Sequence, residues 1–249
     1  MTIFDGSQKE IGKGAQAVVY YYNGFAYKVY KNDYPIEWIR NEIFIQGEIN
    51  KTNLPVIQYY ETDESNIIKM DFIKGITLGD RLLKEKYKNG VDDLIKLQKE
   101  VHMITDINLP SMKYHALNDI KLLQIDQYKK DMALKFLEDM PDKKSLLHLD
   151  FHFLNIMYSN EKYYIIDWIN AKIGNPIYDF ARSYVIMNEY VFRLSRKYLS
   201  LITKDKSIDT TSIKKAIYVM ALLRLKENRS EKTLELIQTL ENEFANYTD

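Results

Sequence analysis

A chain of 249 residues is long enough to bury one large core or two smaller ones. Its 35 Lys and Arg balance 35 Asp and Glu, which argues against a general binder of nucleic acid or of membrane surfaces. Zero cysteines exclude disulfides and thiolate metal sites; with no leader-like start, no apolar run near ~18 residues and no obligate protein partner in evidence, a soluble cytoplasmic protein is expected.

Residues 10–31 read as three short strands, one ending in Gly12-x-Gly14, one from Ala17 to Tyr22 and one from Phe25 to Tyr30. Asn23-Gly24 between the last two is a strong hairpin signal. A glycine turn between antiparallel strands can lay main-chain N–H groups over nucleotide phosphates. Because Val18 to Tyr22 continues as strand instead of opening a helix, a dinucleotide-binding turn is set aside. Lys28 is either the polar face of its strand or a cation for the α- and β-phosphates, held by an acid on the next helix. That helix is expected to be capped by Asp33, with Pro35 in its first turn and Ile36, Ile39 and Ile43 on one face through to about Ile49. Glu42, beside Ile39 and Ile43, is the chosen partner of Lys28, and Glu48 the fallback. Residues 55–61 and 66–73 complete a five-stranded sheet. Met70 to Gly75 then reads as a connection between lobes, against which an adenine ring would hydrogen-bond to Asp71 C=O and Ile73 N–H.

From Thr77 onward the pattern turns helical. Leu94, Leu97, Val101 and Ile104 keep a helical rhythm after Asp92-Asp93. Further helices are expected from Asp119 to about Met140, Ile177 to about Leu199, Ser212 to Lys226 and Ser230 to about Asn246. His102 and His115 are given no role, since isolated histidines are more often structural.

Between these helices lies the stretch Leu146 to Asp179, dense in acids and amides beside strands. His148-x-Asp150-x-x-x-x-Asn155 has the spacing of a phosphoryl-transfer loop, with one carboxylate for a substrate hydroxyl and one amide for a metal. A strand from Tyr163 to Ile166 then delivers Asp167 as a second metal ligand. The bland alternative is a polar hairpin whose Asp and Asn residues only make turns.

In this order, Gly12/Gly14, Lys28, Glu42, Met70 to Gly75, His148 to Asn155, Asp167 and Asp179 resemble the aminoglycoside phosphotransferase-like family of small-molecule kinases over nearly the whole chain. HLDFHFLN is similar to its HGDxHxxN loop, and IIDWINAKIGNPIYDFA to its IDWxxAxxGxPxxDxA segment. The resemblance implies an α+β, two-lobed, protein-kinase-like fold: an antiparallel-sheet N-lobe with one helix over 1–73, and a mainly helical C-lobe over 74–249. It also implies Mg2+ with ATP or GTP in the cleft, Asp150 at the acceptor hydroxyl, Asn155 and Asp167 on magnesium, and Asp179 bracing the loop through main-chain hydrogen bonds. His148 is expected to pack beneath the loop, and His152 lies near enough to Asp150 to tune it. The loop departs from the family pattern at Leu149, which replaces a glycine, and at Phe153-Leu154, which replace Pro-Gly.

The function expected is transfer of a γ-phosphate to a hydroxyl of a small molecule. A nucleotide-binding pseudokinase or scaffold is the alternative. A protein Ser/Thr kinase is disfavoured by the eleven residues between Asp167 and Asp179 and by the absence of A-P-E. Residues 204–249 carry no acidic cluster of the kind a polycationic antibiotic would need, so an aminoglycoside, an amino alcohol and a sugar stay open as acceptors.

Overall fold

In the computed structural model, which describes residues 3–245, the chain opens with β1 (Lys9–Lys13), β2 (Ala17–Tyr22) and β3 (Phe25–Tyr30). Asn23 and Gly24 take φ of 46° and 84°, the mirror-image turn whose twist matches the flanking strands. Next comes α1 (Ile36–Ile49), with Pro35 at its N-cap and no capping side chain. The cap expected from Asp33 does not form, because Asp33 lies two residues too early to reach the first-turn N–H groups. Ile39, Glu42, Ile45 and Ile49 form the buried face, while Ile36 is exposed. The short β4 (Tyr59–Tyr60) and β5 (Ile67–Asp71) complete, among the described residues, a five-stranded antiparallel sheet in the order β1-β2-β3-β5-β4. The strand expected over 55–61 is mostly lost to this sheet, since Val56 instead bridges Ile165 and Pro55 C=O accepts from Ile165 N–H at 2.8 Å.

The chain continues through β6 (Ile76–Thr77), α2 (Leu78–Lys84), α3 (Gly90–His102), α4 (Met112–Leu122), α5 (Gln127–Asp139) and β7 (Ser145–Leu147). β8 (Ile156–Ser159), β9 (Lys162–Ile165) and β10 (Lys172–Gly174) lead into α6 (Pro176–Tyr190), α7 (Phe192–Ile202), α8 (Thr210–Arg224) and α9 (Glu231–Ala245). Two of the expected helices are each two. The helix expected from Asp119 to Met140 is broken because Leu123 is extended and buried, and Asp126 caps α5 by accepting from Tyr128 N–H at 2.8 Å. The one expected from Ile177 to Leu199 breaks at Val191, whose φ of −139° is not helical. Asn246, the expected end of the last helix, lies outside the described residues.

By packing, the chain forms two compact units: Met1–Asp80 with Leu154–Ile169, and Arg81–Phe153 with Asn170–Asp249. Residues 154–169 therefore pack with the N-terminal residues, which a single cut at 73/74 would not give. The reason is backbone pairing, because β8 hydrogen-bonds to β6 on one side and β9 on the other. A Cβ on Gly75 would stand 2.2 Å from Tyr158 C=O, so only glycine lets the chain entering β6 lie this close to β8. In the second unit β7 pairs with β10, and α6 is the central helix, buried at every residue from Ile177 to Glu189. It packs on α7, α8 and α9. No helix among the described residues is long and apolar enough to cross a membrane.

Candidate active site

Within the first unit, β2, β3 and β5 pair so that Lys28 lies opposite Val19 and Ile68 in the middle of the sheet. Its ammonium reaches Glu42 of α1 at 2.8 Å, the expected pair, whereas Glu48 is engaged with Lys51. Glu42 is only 2% exposed, a position that a carboxylate occupies only when its lone pairs are satisfied. Three donors do this: Lys28, Tyr59 Oη at 3.1 Å and Tyr30 Oη. Burial first, and the charge of Glu42 second, push both tyrosine hydroxyls well above their ordinary pKa, so both donate at neutral pH. Burial works against the charge of Lys28, but Asp167 and then Glu42 outweigh it and hold its pKa above the usual lysine value. Tyr30 and Tyr59 were not singled out by the sequence; among 20 tyrosines, no local pattern marks the two that face α1.

The β8–β9 hairpin brings Asn155 and Asp167 to one end. Asn160 and Glu161 at its tip take φ of 47° and 61°, a two-residue turn that fixes Ser159 opposite Lys162 and Ile156 opposite Ile165. Asn155 C=O then accepts from Ile166 N–H at 3.0 Å, and Asp167 follows directly. Asp167 has φ of 64°, a left-handed backbone uncommon for a residue other than glycine. Its Oδ1 is 3.7 Å from Lys28 Nζ, too far for a hydrogen bond, and is buried without a hydrogen-bond partner. A carboxylate oxygen left so, beside a buried amide, suits a hard divalent cation that takes oxygen ligands.

Lys28, Asn155 and Asp167 line a cavity of about 850 Å³ whose walls all belong to the first unit. Ala26, Ile57 and Met70, with Val19, Ile73 and Ile166 packed on them, supply an apolar wall that fits a flat aromatic base. Gly12 and Gly14 lie on the same lining, and a Cβ on either would meet its neighbours only at ordinary contact distance. Asp71 turns its carboxylate onto the sheet, accepting from Gln58 N–H at 2.9 Å and Tyr60 Oη at 2.8 Å. Side-chain identity at 71 thus serves the sheet. Ile73 lines the cavity as well.

Asp150 belongs to the second unit, where its loop is held from several sides. Asp150 N–H donates to His148 Nδ1 at 3.2 Å, and His148 is fully buried with its ring edge-on to Phe151. His152 Nε2 lies 3.6 Å from Asp150 Oδ2. Burial alone would raise the pKa of Asp150, but His152, His148 and Arg182 more than offset it and hold the carboxyl at about 2. Leu149 takes φ of 60°, the glycine-like conformation that its place in the loop demands. Asp179 braces the loop by accepting from Leu149 N–H at 2.6 Å. It is fully buried, and His102 Nε2 stands 2.8 Å from its other oxygen. Burial opposes the charge of Asp179, yet His102, His148 and the Leu149 N–H lower its pKa below the usual value. His102, given no role from the sequence, is thus the partner of a loop brace 77 residues away, a pairing only the packing of α3 on the rest of its unit creates. His115 has no part in this arrangement, and burial lowers its pKa.

Residues 8–201 match the model of a family described as the phosphotransferase enzyme family. A protein named LicA homolog, from Metamycoplasma hominis, is 27% identical over 172 residues, 64% of this chain and 68% of the relative. Among solved structures, the choline kinase LicA from Streptococcus pneumoniae aligns with a TM-score of 0.66 at 15% identity, covering 97% of this chain and 94% of its own. Aminoglycoside phosphotransferase APH(4)-Ia aligns with a TM-score of 0.68 at 13% identity, covering 95% and 91%. At such identities the solved structures speak for the fold, which is α+β and protein-kinase-like.

Proposed function

Because this chain belongs to the phosphotransferase enzyme family, we propose that it is a small-molecule kinase moving the γ-phosphate of ATP or GTP to an acceptor hydroxyl. The observation that carries the reading is Lys28, tied to buried Glu42 at 2.8 Å and 3.7 Å from an Asp167 whose inner oxygen has no hydrogen-bond partner. A cation and an unsatisfied anionic oxygen side by side on an 850 Å³ cavity suit a polyphosphate carrying a divalent ion.

In this reading Lys28 meets the α- and β-phosphates, kept in place by Glu42. The main chain at Gly12 and Gly14 lies over the phosphates, and the base rests on the apolar wall with Asp71 C=O and Ile73 N–H as its hydrogen-bond partners. Asn155 and Asp167 would hold Mg2+, which supplies charge neutralisation for the β- and γ-oxygens. The nucleotide-binding lobe, residues 1–73, takes the hairpin bearing these two ligands with it, and the remainder of 74–249 carries the catalytic loop and the acceptor site. Asp150 receives the acceptor hydroxyl. A carboxylate with a pKa of about 2 is a weak base, so its main work is orientation, with the proton passing late, as a loose phosphoryl-transfer transition state allows.

The identity shared with a LicA homolog, taken with the likeness to the solved choline kinase LicA, favours choline or a related amino alcohol as acceptor, and we place the reaction in the cytoplasm, where ATP is at hand. The aminoglycoside phosphotransferase likeness keeps polyhydroxylated antibiotics as the second acceptor class. A coupled assay of ADP release from ATP, or of GDP release from GTP, across amino alcohols, sugars and aminoglycosides tests this, with 31P NMR identifying the product. Release that depends on an amino alcohol and yields its phosphomonoester is expected. Magnesium-dependent nucleotide binding with no release for any acceptor would favour the scaffold reading instead, and absence of both would sink the proposal.

A further inference from the structure

We propose that Arg182, acting together with Asp179, clamps the main chain of Leu149 and is thereby a positioning residue for Asp150. The two side chains lie three residues apart on α6, so both project to one face of a helix that is buried along its length. Asp179 accepts the Leu149 N–H at 2.6 Å, and Arg182 Nε donates to the Leu149 C=O at 3.3 Å. Both peptide groups of one residue are therefore held by one rigid element.

The residue held this way needs holding. At φ of 60° Leu149 sits where an L side chain is disfavoured by roughly tenfold, a cost glycine does not carry. Its side chain is buried, so the core retains the leucine while the clamp retains the backbone. Asp150 is the next residue, and a rotation about the Leu149 backbone swings its carboxylate directly. The rest of the Arg182 guanidinium is fixed by Glu227, which Arg224 also binds at 2.7 Å, and Arg224 reaches Glu189 of α6 at 2.8 Å. Arg182 is 5% exposed, and its fork can serve Leu149 and Glu227 at once, as a lysine cannot.

The proposal rests on reading Asp150 as the acceptor-binding carboxylate, so its test combines a kinetic readout with one that needs no catalysis. Arg182→Met and Arg182→Lys are made alone and in Leu149→Gly and Leu149→Ala backgrounds; amide hydrogen exchange is followed at residue 149 and, for reference, along β7. Protection at 149 should fall by about tenfold more than along β7 in both single variants, with kcat lower by about the same factor and nucleotide KM unchanged. Glycine at 149 should restore much of both losses and alanine neither, because only glycine removes the backbone penalty. The clamp is overturned if β7 and residue 149 lose protection equally, if alanine rescues as well as glycine, or if Glu227→Gln alone reproduces the whole effect. Should the wild type turn over no acceptor, the function assigned above fails, and the exchange measurements still decide for or against the clamp.

Discussion

Replacing Lys28 by methionine tests whether the buried ion pair serves stability, nucleotide binding or both. Methionine fills much of the lysine stem's volume but leaves the Glu42 carboxylate, 2% exposed, with only Tyr30 and Tyr59 as donors. Breaking a buried pair by removing one partner costs about 3–5 kcal/mol. Lys28 is 19% exposed, which puts the expected loss near the lower end, about 3 kcal/mol. For a chain of this length that lowers the melting temperature by roughly 6–12 °C. Adding Glu42→Gln removes the stranded charge while keeping an acceptor for the two tyrosines, so the double variant should recover to within about 1 kcal/mol of the wild type. Nucleotide affinity should not recover. The lost charge-assisted contact is worth about 1.5–3 kcal/mol, so calorimetry should show Mg-ATP binding roughly 10- to 100-fold weaker in both variants. If the double variant melts no higher than Lys28→Met, charge burial is the wrong account of this pair. If it binds nucleotide like the wild type, Lys28 does not touch the phosphates.

Asp150→Asn should keep nucleotide affinity and lose about 10²-fold or more in kcat, whereas Asp167→Asn should lose magnesium-dependent affinity as well; calorimetry beside the ADP-release assay separates them. Because the folded pKa of Asp150 is about 2 and the ordinary value 3.8, the stability it contributes, of order 2 kcal/mol, is complete above pH 3.8 and lost as pH falls to about 2. Denaturant melts of wild type and Asp150→Asn should thus differ at about pH 4–5 and converge as pH falls to about 2, and a difference that persisted undiminished at about pH 2 would contradict this ionisation. Gly75→Ala places a methyl group 2.2 Å from Tyr158 C=O, a clash with backbone that cannot turn aside, and should cost about 3 kcal/mol or more by thermal melting; a neutral result would mean that the β6–β8 contact is looser than described.

Most of the candidate site residues were legible because turn signals, strand and helix patterns and loop spacing act over a few adjacent residues, where local rules are strong. The Asn23-Gly24 hairpin, the Lys28 strand and Glu42 on the following helix are each short-range inferences, and the Lys28–Glu42 pair is formed. The helices were less legible. Apolar spacing runs through 119–140 and 177–199 without a proline or glycine to mark the breaks, which come instead from the Asp126 cap and from Val191 leaving helical backbone at the start of α7. Periodicity reports which face is apolar, and it is blind to a helix that stops and restarts in phase.

Local order and spacing marked the Asn23-Gly24 turn and singled out Asp150, Asn155 and Asp167 as candidates, while the fold class came from the family resemblance those motifs carry. Such features depend on a few adjacent residues, whose φ/ψ preferences and side-chain reach act within one or two turns of chain. Only the tertiary structure decided that Tyr30 and Tyr59 complete the shell of Glu42, that His102 meets Asp179, and that Leu149 is held in a glycine-like backbone by Asp179 and Arg182. These contacts join residues 12 to 77 positions apart, and each exists because burial leaves a charged or polar group that water no longer serves. Which partner arrives to serve it is settled by the packing of strands and helices against one another, and no local pattern in the sequence records that choice.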